Sequence, residues 1–388
     1  MSGTAVIIVA MPAGTVLTTR ALNRALLARQ HLLERAVMPA TAMIEHLVGM
    51  QAQVPQQPYV ALWSRLRDFD PAELEAHFDA HEVVRMGVMR STLHLLTTRD
   101  ALRIRPSTQS VLERVFRSTS FARDIDGIDR EALLAHGRAL VEEQPRSGAE
   151  LAAALRERWP GYSGPSMSQA ARYLLPMIQP PPRGLWTRTG RATTTTIEHW
   201  LGRHLPEAEP PDELVLRYLG AFGPATVADA RTWSWLTGLR EVFERLRPQL
   251  ATFRDENGRE LYDLPDAPRP HPDTPAPPRF LPEYDNLGLS HADRSRVIPA
   301  PVAARLTGWV GTFLADGFVH GQWRVDQAKN AATLVLQPFL PLEGETQAAV
   351  VAEGERLLDF MARPGGGRLV EFGVARKPEA LRAATTEA

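Results

Sequence analysis

The residues that first suggest chemistry are glutamines. The stretch GMQAQVPQQPY, residues 49–59, holds four of them beside two prolines. Amides are neither acids nor bases near neutral pH, but they donate and accept hydrogen bonds and can hold a water molecule in place. Because Pro55 favours extended backbone before it, we expect Gln51 and Gln53 to point the same way and Ala52 to face the protein. The stretch is therefore either a water-positioning site or a set of glutamines that cap backbone groups and contact solvent.

A second group of candidates lies in EVVRMGVMRSTLHLLT, residues 82–97, which is rich in β-formers and has a glycine near its middle. This pattern predicts a two-stranded hairpin. On a strand, Arg90, Thr92 and His94 share one face, and that face is a candidate DNA-contacting surface. A histidine on a strand is more often structural, so both interpretations stay open for His94.

Carboxylates cluster in LPEYDNLGLSHAD, residues 281–293, which offers Glu283, Asp285, His291 and Asp293. The set suggests a carboxylate pair or a metal site, yet Asp285 followed by asparagine is more typical of a turn cap. The histidines show no HxH or HExxH pairing, and the chain has no cysteine, Walker loop or nucleophile elbow. We therefore predict no metal and no cofactor.

The composition is that of a globular protein with room for several modules. The chain has 388 residues, of which 44% are hydrophobic and 23% charged, and a net charge of −1. This balance counts mildly against DNA binding, since DNA-binding domains are often basic overall. Residues 90–123, however, carry seven arginines against two acidic residues. That segment is either a solvated helix face or a phosphate-binding surface.

Helices followed by a hairpin recur three times along the chain. In the first pass, helices are predicted over residues 17–37, 41–48 and 59–67 and from Pro71 onward, before the hairpin at 82–97. This order is typical of a winged helix-turn-helix, which presents a helix to a DNA groove and its hairpin to the backbone.

The second and third passes also end in predicted hairpins. Strands are predicted around Gly190, with Arg188 and Arg191 beside the turn, where a wing would contact phosphate. A soluble surface turn is the alternative for these two arginines. The third hairpin is marked by Asn257–Gly258. Winged helices also serve as protein-binding modules, so a nucleic-acid partner is favoured without being the only possibility.

The predicted fold class is α+β: three tandem winged helix-turn-helix units with a concave DNA-facing surface and a C-terminal β-rich segment. Within that segment, Asp316–Gly317 predicts a tight turn between strands, and residues 346–362 predict a closing helix. The predicted divisions are a disordered leader (1–14), winged helices 1 (15–100), 2 (125–200) and 3 (205–266), a Pro-rich loop (267–278), the C-terminal segment (279–376) and a tail (377–388). The apolar run in the leader is too short to span a bilayer, and the absence of cysteine fits a cytoplasmic protein.

Several stretches together resemble the bacterial winged-helix DNA glycosylases of the AlkZ/YcaQ family. The resemblance covers about residues 17–374, and the family signature Gln-apolar-Gln is matched by Gln51, Ala52 and Gln53. One branch of the family has aspartate at the third signature position, so Gln53 makes the chain similar to the AlkZ-like branch. The stretches are LNRALLARQHLLER, HLVGMQAQVPQQPYVALWSRL, VMRSTLHLLT, RFLPEYDNLGLSHADRSRVI and DGFVHGQWRV.

The resemblance implies a monofunctional, metal-independent DNA glycosylase that acts as a monomer on double-stranded DNA carrying alkylated guanine. Such an enzyme excises bulky or crosslinked N7-alkylguanines, leaves an abasic site, and protects a producer of an alkylating natural product such as azinomycin. In this chain Gln51 and Gln53 would position the attacking water. A crosslinked guanine cannot swing out of the duplex, so the hairpin at Asp316–Gly317 is a candidate groove probe, with an ordinary β-turn as the alternative.

Two other functions stay open at this point. One is a non-catalytic winged-helix DNA-binding protein or transcriptional regulator, although a regulator usually needs a dimer and no dimerising helix is evident. The other is a catalytically idle relative that sequesters a drug.

Overall fold

The computed structural model describes residues 14–306, 308, 310–362 and 366–375. The predicted leader, apart from Gly14, and the predicted tail at 377–388 lie outside the described residues. No helix in the described part of the chain has the length and apolar character needed to cross a membrane.

The first region has the predicted order of helices followed by a hairpin. The predicted antiparallel hairpin is confirmed, since its two strands pair from Val83↔Thr97 to Gly87↔Leu93. The first helix is shorter than predicted: it ends at Arg29, and His31 takes a left-handed φ of 53°. The elements are β1 (Val16–Leu17), α1 (Thr19–Arg29), α2 (Ala40–His46), β2 (Met50–Gln51), α3 (Gln57–Arg65), α4 (Pro71–Asp79), β3 (Val83–Gly87) and β4 (Leu93–Thr97).

The second region begins with a long helix over most of the arginine-rich segment and again ends in a short hairpin. The hairpin strands pair at Met177↔Thr196 and Ile178↔Thr195. The elements are α5 (Thr98–Ser118), α6 (Ser120–Asp124), α7 (Arg130–Glu143), β5 (Arg146–Ser147), α8 (Gly148–Arg158), α9 (Gly164–Leu174), β6 (Met177–Ile178), β7 (Thr193–Thr196) and α10 (Ile197–Leu201).

The strand predicted just before Gly190 is wrong, because that segment folds against the first region instead. Leu185 is fully buried in the core formed by α2, α3 and α4. Tyr59 Oη donates a hydrogen bond to the Gly184 carbonyl at 3.0 Å. Tertiary packing here overrides the local strand pattern, as it commonly does for β-propensity.

The hairpins of the first two regions join into one six-stranded sheet with the order β2-β4-β3-β6-β7-β5. The junction is the antiparallel pair Met86↔Ile178 between β3 and β6. In each half, the strand that comes first in the chain (β2 or β5) lies at the outer edge. The strand that comes last (β4 or β7) lies in the middle of its half. The two halves are therefore related by an approximate twofold pseudo-symmetry whose axis passes through the seam.

The third region repeats the order and carries the predicted Asn-Gly hairpin, with Gly258 at a φ of 77°. Its sheet has the order β1-β8-β9, so the N-terminal strand of the chain completes it. The elements are α11 (Asp212–Phe222), α12 (Val227–Ser234), α13 (Leu239–Leu246), β8 (Ala251–Asp255) and β9 (Glu260–Asp263).

The C-terminal region is a five-stranded sheet with the order β10-β11-β12-β13-β14. The predicted strands on either side of Asp316–Gly317 and the closing helix are confirmed. The elements are β10 (Arg279–Leu281), α14 (Ala300–Ala303), β11 (Gly311–Ala315), β12 (Phe318–Ala328), β13 (Ala331–Pro338), α15 (Gly344–Met361) and β14 (Gly367–Phe372).

One apolar core links all four regions, with Ile178 of β6 as a member from the second region. It includes Leu26 of the first region, Trp233 of the third and Leu281 of the C-terminal sheet. The second region has a core of its own, built around α7, α8 and α9. The glutamine stretch contributes Met50, Ala52 and Tyr59 to the core formed by α2, α3 and α4.

Candidate active site

Gln51 is held inside the protein by the sheet. It ends β2, pairs with His94 of β4, and is only 8% exposed. Its Oε1 accepts a hydrogen bond of 2.8 Å from Arg90 Nη2. A guanidinium only donates, so this contact fixes which end of the amide faces Arg90. The Nε2 of Gln51 has no partner among the described residues and remains as a donor at the border of a cavity.

Arg90 connects three regions of the fold from a buried position. Its Nη1 donates to the Trp233 carbonyl at 2.6 Å, and its Nη2 also donates to Asn286 Oδ1 at 3.0 Å. Asn286 is itself anchored, because its Nδ2 donates to the Gly49 carbonyl at 3.2 Å. Burial lowers the pKa of Arg90 to about 10, so the guanidinium stays charged at neutral pH. Every oxygen that it contacts here is neutral.

His94 is fully buried beside Arg90. Its Nδ1 lies 3.0 Å from the Thr92 carbonyl, and its Nε2 lies 3.4 Å from Arg90 Nη2. Burial, and then the charge of Arg90, lower the pKa of His94 to about 3. The ring is therefore neutral, with its proton on Nδ1 facing the carbonyl and a lone pair on Nε2 facing the guanidinium.

These placements correct the prediction of one exposed face formed by positions 90, 92 and 94. The chain makes a 3-10 turn at Met89–Ser91, with Arg90 at a φ of 54°, and β4 begins only at Leu93. Arg90 is 8% exposed and His94 is fully buried, so the two side chains do not form an exposed face. Thr92 is half-buried, and its hydroxyl donates to the Met89 carbonyl at 3.2 Å. Arg90, which was predicted to contact DNA, holds the Gln51 amide instead.

The cavity beside Gln51 has a volume of about 10 Å³, roughly what a single water molecule needs. Asp285 forms part of its wall and accepts two hydrogen bonds, of 2.8 and 2.9 Å, from the guanidinium of Arg65. The same carboxylate accepts from the Leu287 amide at 2.9 Å, which confirms the predicted turn cap. Arg65 also donates to Gln30 Oε1 at 3.0 Å. The cavity is therefore lined by fixed polar groups.

A larger cavity of about 500 Å³ shares Pro282 and Asp285 with the small one. Most of its wall is apolar and belongs to the C-terminal region, including Val297, Ile298 and Val319. Its volume falls in the range of small-molecule sites.

Gln53 lies at a different cavity from Gln51. The prediction that Ala52 faces the protein is confirmed, since Ala52 is fully buried and its carbonyl accepts from Arg85 at 2.6 Å. Gln53 follows the end of the strand, and its Oε1 lies 3.5 Å from the Leu93 amide, which is a weak contact. Its cavity has a volume of about 130 Å³ and lies between the first two regions. The structure does not bring the two amides to a common cavity.

The two arginines near Gly190 lie on the surface. Arg188 is 60% exposed and 3.6 Å from Asp79, while Arg191 is 72% exposed and 2.9 Å from Glu150. Exposed ion pairs of this kind contribute about 0–1 kcal/mol, so either arginine can exchange its partner for a phosphate at little cost. Their DNA contacts stay a prediction.

The turn at Asp316–Gly317 is formed as predicted, but its tip is packed against α1. Asn23 Nδ2 donates to the Gly317 carbonyl at 2.8 Å, and Arg20 Nη1 donates to Asp316 Oδ2 at 2.6 Å. Arg24 is bonded to the same carboxylate. The Asp316 side chain is 56% exposed, and the groove-probing role of this turn stays a prediction. The exposed hairpin tip of the same sheet joins β12 to β13 and carries Lys329.

Comparison with known proteins identifies the family of this chain. Residues 44–360 match the model of the AlkZ-like DNA glycosylases. The chain belongs to this family. It is 27% identical over 361 residues to the interstrand DNA cross-link repair glycosylase of Streptomyces sahachiroi, with 84% of this chain and 93% of that protein covered. The structure of Streptomyces sahachiroi DNA glycosylase AlkZ matches its fold with a TM-score of 0.71 at 21% identity, over 92% of this chain and 100% of that one.

Sequence reasoning missed several polar residues that surround the signature of this AlkZ-like chain. Arg65, Asn286 and Gln30 lie at the Gln51 cavity, and Arg172 and Gln179 lie at the Gln53 cavity. No local motif marks any of them. In the sequence, Asn286 is recognisable only as part of a turn. Nothing distinguishes Arg65 and Arg172 from the other arginines of the chain. Among the residues that the structure describes, no group of three or more histidine, aspartate or glutamate side chains is arranged to hold a metal ion.

Proposed function

We propose that this protein is a monofunctional DNA glycosylase that hydrolyses the N-glycosidic bond of bulky or crosslinked N7-alkylguanines in double-stranded DNA. The supporting observation is the Gln51 amide, which Arg90 holds in one orientation at a cavity the size of a single water. Membership of the AlkZ-like family supports the same reaction class.

The lesion explains why amides are sufficient. Alkylation at N7 makes guanine cationic, so the C1′–N9 bond breaks with its electron pair neutralising the departing base. No general acid is needed for this step. Water then adds to the oxocarbenium-like C1′ and loses its proton to solvent, which leaves an abasic site. What the protein supplies is the position of the water and hydrogen bonds fixed in advance.

We assign the two glutamines different parts of this task. Gln51 offers Nε2 as a donor, and the positive charge of Arg90 on its Oε1 polarises the amide and strengthens that donor. Gln53 is half-buried and loosely bonded, so it is free to adjust to the sugar or the water. Neither residue is asked to abstract a proton, for which an amide is a poor base.

The fold supports action on an intact duplex. Each of the three regions has the helix and hairpin order of a winged helix-turn-helix, and we propose that they present a concave surface to DNA with Arg188 and Arg191 on phosphates. A crosslinked base is tied to the opposite strand, so the site must approach the duplex. The apolar cavity that shares Asp285 with the Gln51 cavity supports lesions with bulky substituents.

In the cell, this reaction would serve DNA repair and self-resistance against an alkylating natural product such as azinomycin. We propose that the enzyme acts as a cytoplasmic monomer without a metal or other cofactor.

The direct test is incubation of the protein with a duplex containing N7-methylguanine and with a duplex carrying an interstrand crosslink, followed by scoring of abasic sites. We expect excision from both, unchanged by a metal chelator. Binding to both duplexes without any abasic product would favour the non-catalytic DNA-binding alternative. Activity that is lost in chelator and restored by zinc or magnesium would overturn the metal-free mechanism.

A further inference from the structure

The cavity beside Gln53 lies at the seam between the first two regions, and its polar groups are not satisfied by the protein. Ser91 Oγ and Gln179 Oε1 are both buried without a hydrogen-bond partner among the described residues. An unmatched buried polar atom costs about 1–3 kcal/mol, so most native proteins pair such groups. Two of them in one cavity indicate that a ligand completes their bonding.

Gln179 is fixed in position but not in orientation. It directly follows β6, its backbone N–H donates to the Arg85 carbonyl at 2.8 Å, and the residue is 4% exposed. Neither end of its amide is bonded to a described residue, in contrast to Gln51, whose Oε1 is held by Arg90. The amide can therefore turn either its NH2 group or its oxygen into the cavity.

Ser91 is presented to the same cavity by strained backbone. Its φ is 58°, in the left-handed region that residues with a Cβ rarely adopt. Such strain costs about 1–3 kcal/mol and persists mostly at functional sites. The strain places a hydroxyl beside Gln53 without giving it a partner in the protein.

Arg172 adds an uncompensated positive charge. It projects from α9 into the cavity, and its guanidinium makes no hydrogen bond or ion pair with the described residues. The side chain is half-buried, and burial lowers its pKa. Other buried arginines do have hydrogen-bond partners: Arg29 pairs with Asp263, Arg65 pairs with Asp285, and Arg90 donates to neutral oxygens. The described walls of this cavity contain no carboxylate at all.

We propose that Arg172, Ser91 and Gln179 form a phosphodiester-binding site that holds the damaged strand against Gln53. A planar guanidinium without an acidic partner is suited to a phosphate, and a hydroxyl and an amide NH2 supply further donors. The second region thereby supplies Arg172 and Gln179 to the phosphate site, while the first supplies Ser91 and the signature glutamines. This assignment rests on the proposed function, because it takes a DNA strand at Gln53 as the substrate.

The test replaces the phosphates around the lesion one at a time by neutral methylphosphonates. The duplex carries a stable abasic analogue at the lesion position, so that binding is measured without excision. For the wild-type protein, we expect one phosphate near the lesion whose neutralisation weakens binding about tenfold or more, as expected for a bond to a charged group. In Arg172→Met, neutralising that phosphate should cost nothing further, while the other phosphates keep their wild-type effects. Arg172→Met should also reduce the salt dependence of binding by about one charge.

Arg156→Met is the matched control, since Arg156 is exposed on α8 and does not border the cavity. It should leave the phosphate pattern unchanged. If Arg172→Met fails to fold, Ser91→Ala provides the same test and should weaken binding severalfold through the same phosphate. A wild-type phosphate pattern in the folded variant would overturn the proposal. A changed pattern in a protein that excises nothing would leave this site standing while removing the glycosylase assignment.

Discussion

The two signature glutamines are separated by one residue but face environments of opposite character. Around Gln51, the cavity is small and its principal polar groups are bonded within the protein: Arg90 bonds the amide oxygen, and Arg65 bonds Asp285. Around Gln53, the cavity is larger and holds buried polar atoms without partners, next to the unpaired Arg172. The difference teaches that hydrogen bonds within the protein orient Gln51 before substrate arrives. Around Gln53, polar groups are left for substrate to bind.

The pseudo-symmetry of the six-stranded sheet sharpens this contrast. The strand equivalent to β2 in the second half is β5, at Arg146–Ser147. There Ser147 caps α8 and exchanges hydrogen bonds with Glu150 in a capping box at the surface. Ser147 of β5 thus caps a helix, whereas Gln51 at the equivalent strand carries a buried amide. Only the first half uses it for a site.

The largest expected loss of excision activity comes from substitutions at the signature glutamines, beginning with Gln51. Gln51→Ala removes the oriented donor, and we expect single-turnover excision of N7-methylguanine to fall on the order of 10²- to 10³-fold, as for other fixed donors. Gln53→Ala should also lower excision strongly. Both variants should fold and bind DNA as the wild type does.

Gln56→Ala is the control, since Gln56 lies in the same stretch and its side chain makes no capping bond at α3. Wild-type excision by both signature variants would remove the site assignment.

The next effect concerns the bond that orients Gln51. Arg90→Met frees that amide and leaves the Trp233 carbonyl unpaired, so we expect kcat to fall roughly tenfold or more with KM little changed. We also expect the free energy of unfolding to drop by about 1–3 kcal/mol. Kinetics and urea unfolding measure the two losses separately.

Arg105→Met separates orientation from stability. Arg105 is a second buried arginine with a pKa lowered to about 10, and it donates to the Leu175 carbonyl far from Gln51. It should lose comparable stability and keep its kcat. Equal loss of kcat in both variants would mean that Arg90 acts only through stability.

A smaller effect is expected from Gln53→Asp, which creates the signature of the other branch of the family. A carboxylate adds charge that favours the developing sugar cation, but it also adds like charge near phosphate and loses the amide donor. Since N7-methylguanine departs easily, we expect this variant to retain substantial activity on it, well above Gln53→Ala. A bulky adduct should suffer more. If Gln53→Asp is as inactive as Gln53→Ala on N7-methylguanine, the amide donor of Gln53 is essential and this electrostatic account is wrong.

The smallest effect on catalysis is expected from pH. His94 has a pKa of about 3 in the folded protein against about 6.5 in an unfolded chain. Below about pH 6.5 the unfolded chain therefore binds a proton that the folded chain does not, and stability falls by up to about 1.4 kcal/mol per pH unit until the folded pKa is reached. Excision should stay flat between about pH 6 and 8.

Urea unfolding between about pH 4 and 7, in the wild type and in His94→Asn, measures the proton difference. The variant should lose part of the slope, and His31, His46 and His291, whose pKa values are also lowered by burial, should contribute to the remainder. If the excision rate changed near about pH 6.5 in the wild type but not in His94→Asn, His94 would take part in the reaction.

The sequence was most informative where local pattern determines structure. Alternation predicted the burial of Ala52, and β-formers and glycine-containing turns predicted the hairpins at 82–97, Asn257–Gly258 and Asp316–Gly317. Gln51 and Gln53 were singled out by their match to a family signature. Spacing alone left them between a site and a solvated loop.

Long-range packing supplied what the sequence could not. The burial of Arg90 depends on Trp233 and Asn286, which are distant in the chain. The junction of β3 with β6 brings Gln179 next to Gln53, and no local pattern encodes a pairing of that kind. A strand pattern also does not show what packs against its turn, so the bond from Arg20 of α1 to Asp316 could not be predicted.

The central claim is that Gln51 acts as an oriented donor while Gln53 does not depend on one fixed orientation. The most direct test is single-turnover excision of N7-methylguanine by the isosteric pair Gln51→Glu and Gln53→Glu. At position 51 the carboxylate would pair with Arg90 and offer no donor, so we predict a loss close to that of Gln51→Ala. At position 53 we predict a loss of no more than about tenfold, because the added charge offsets the missing NH2 group. Equal losses at the two positions, or a larger loss at 53 than at 51, would contradict the account.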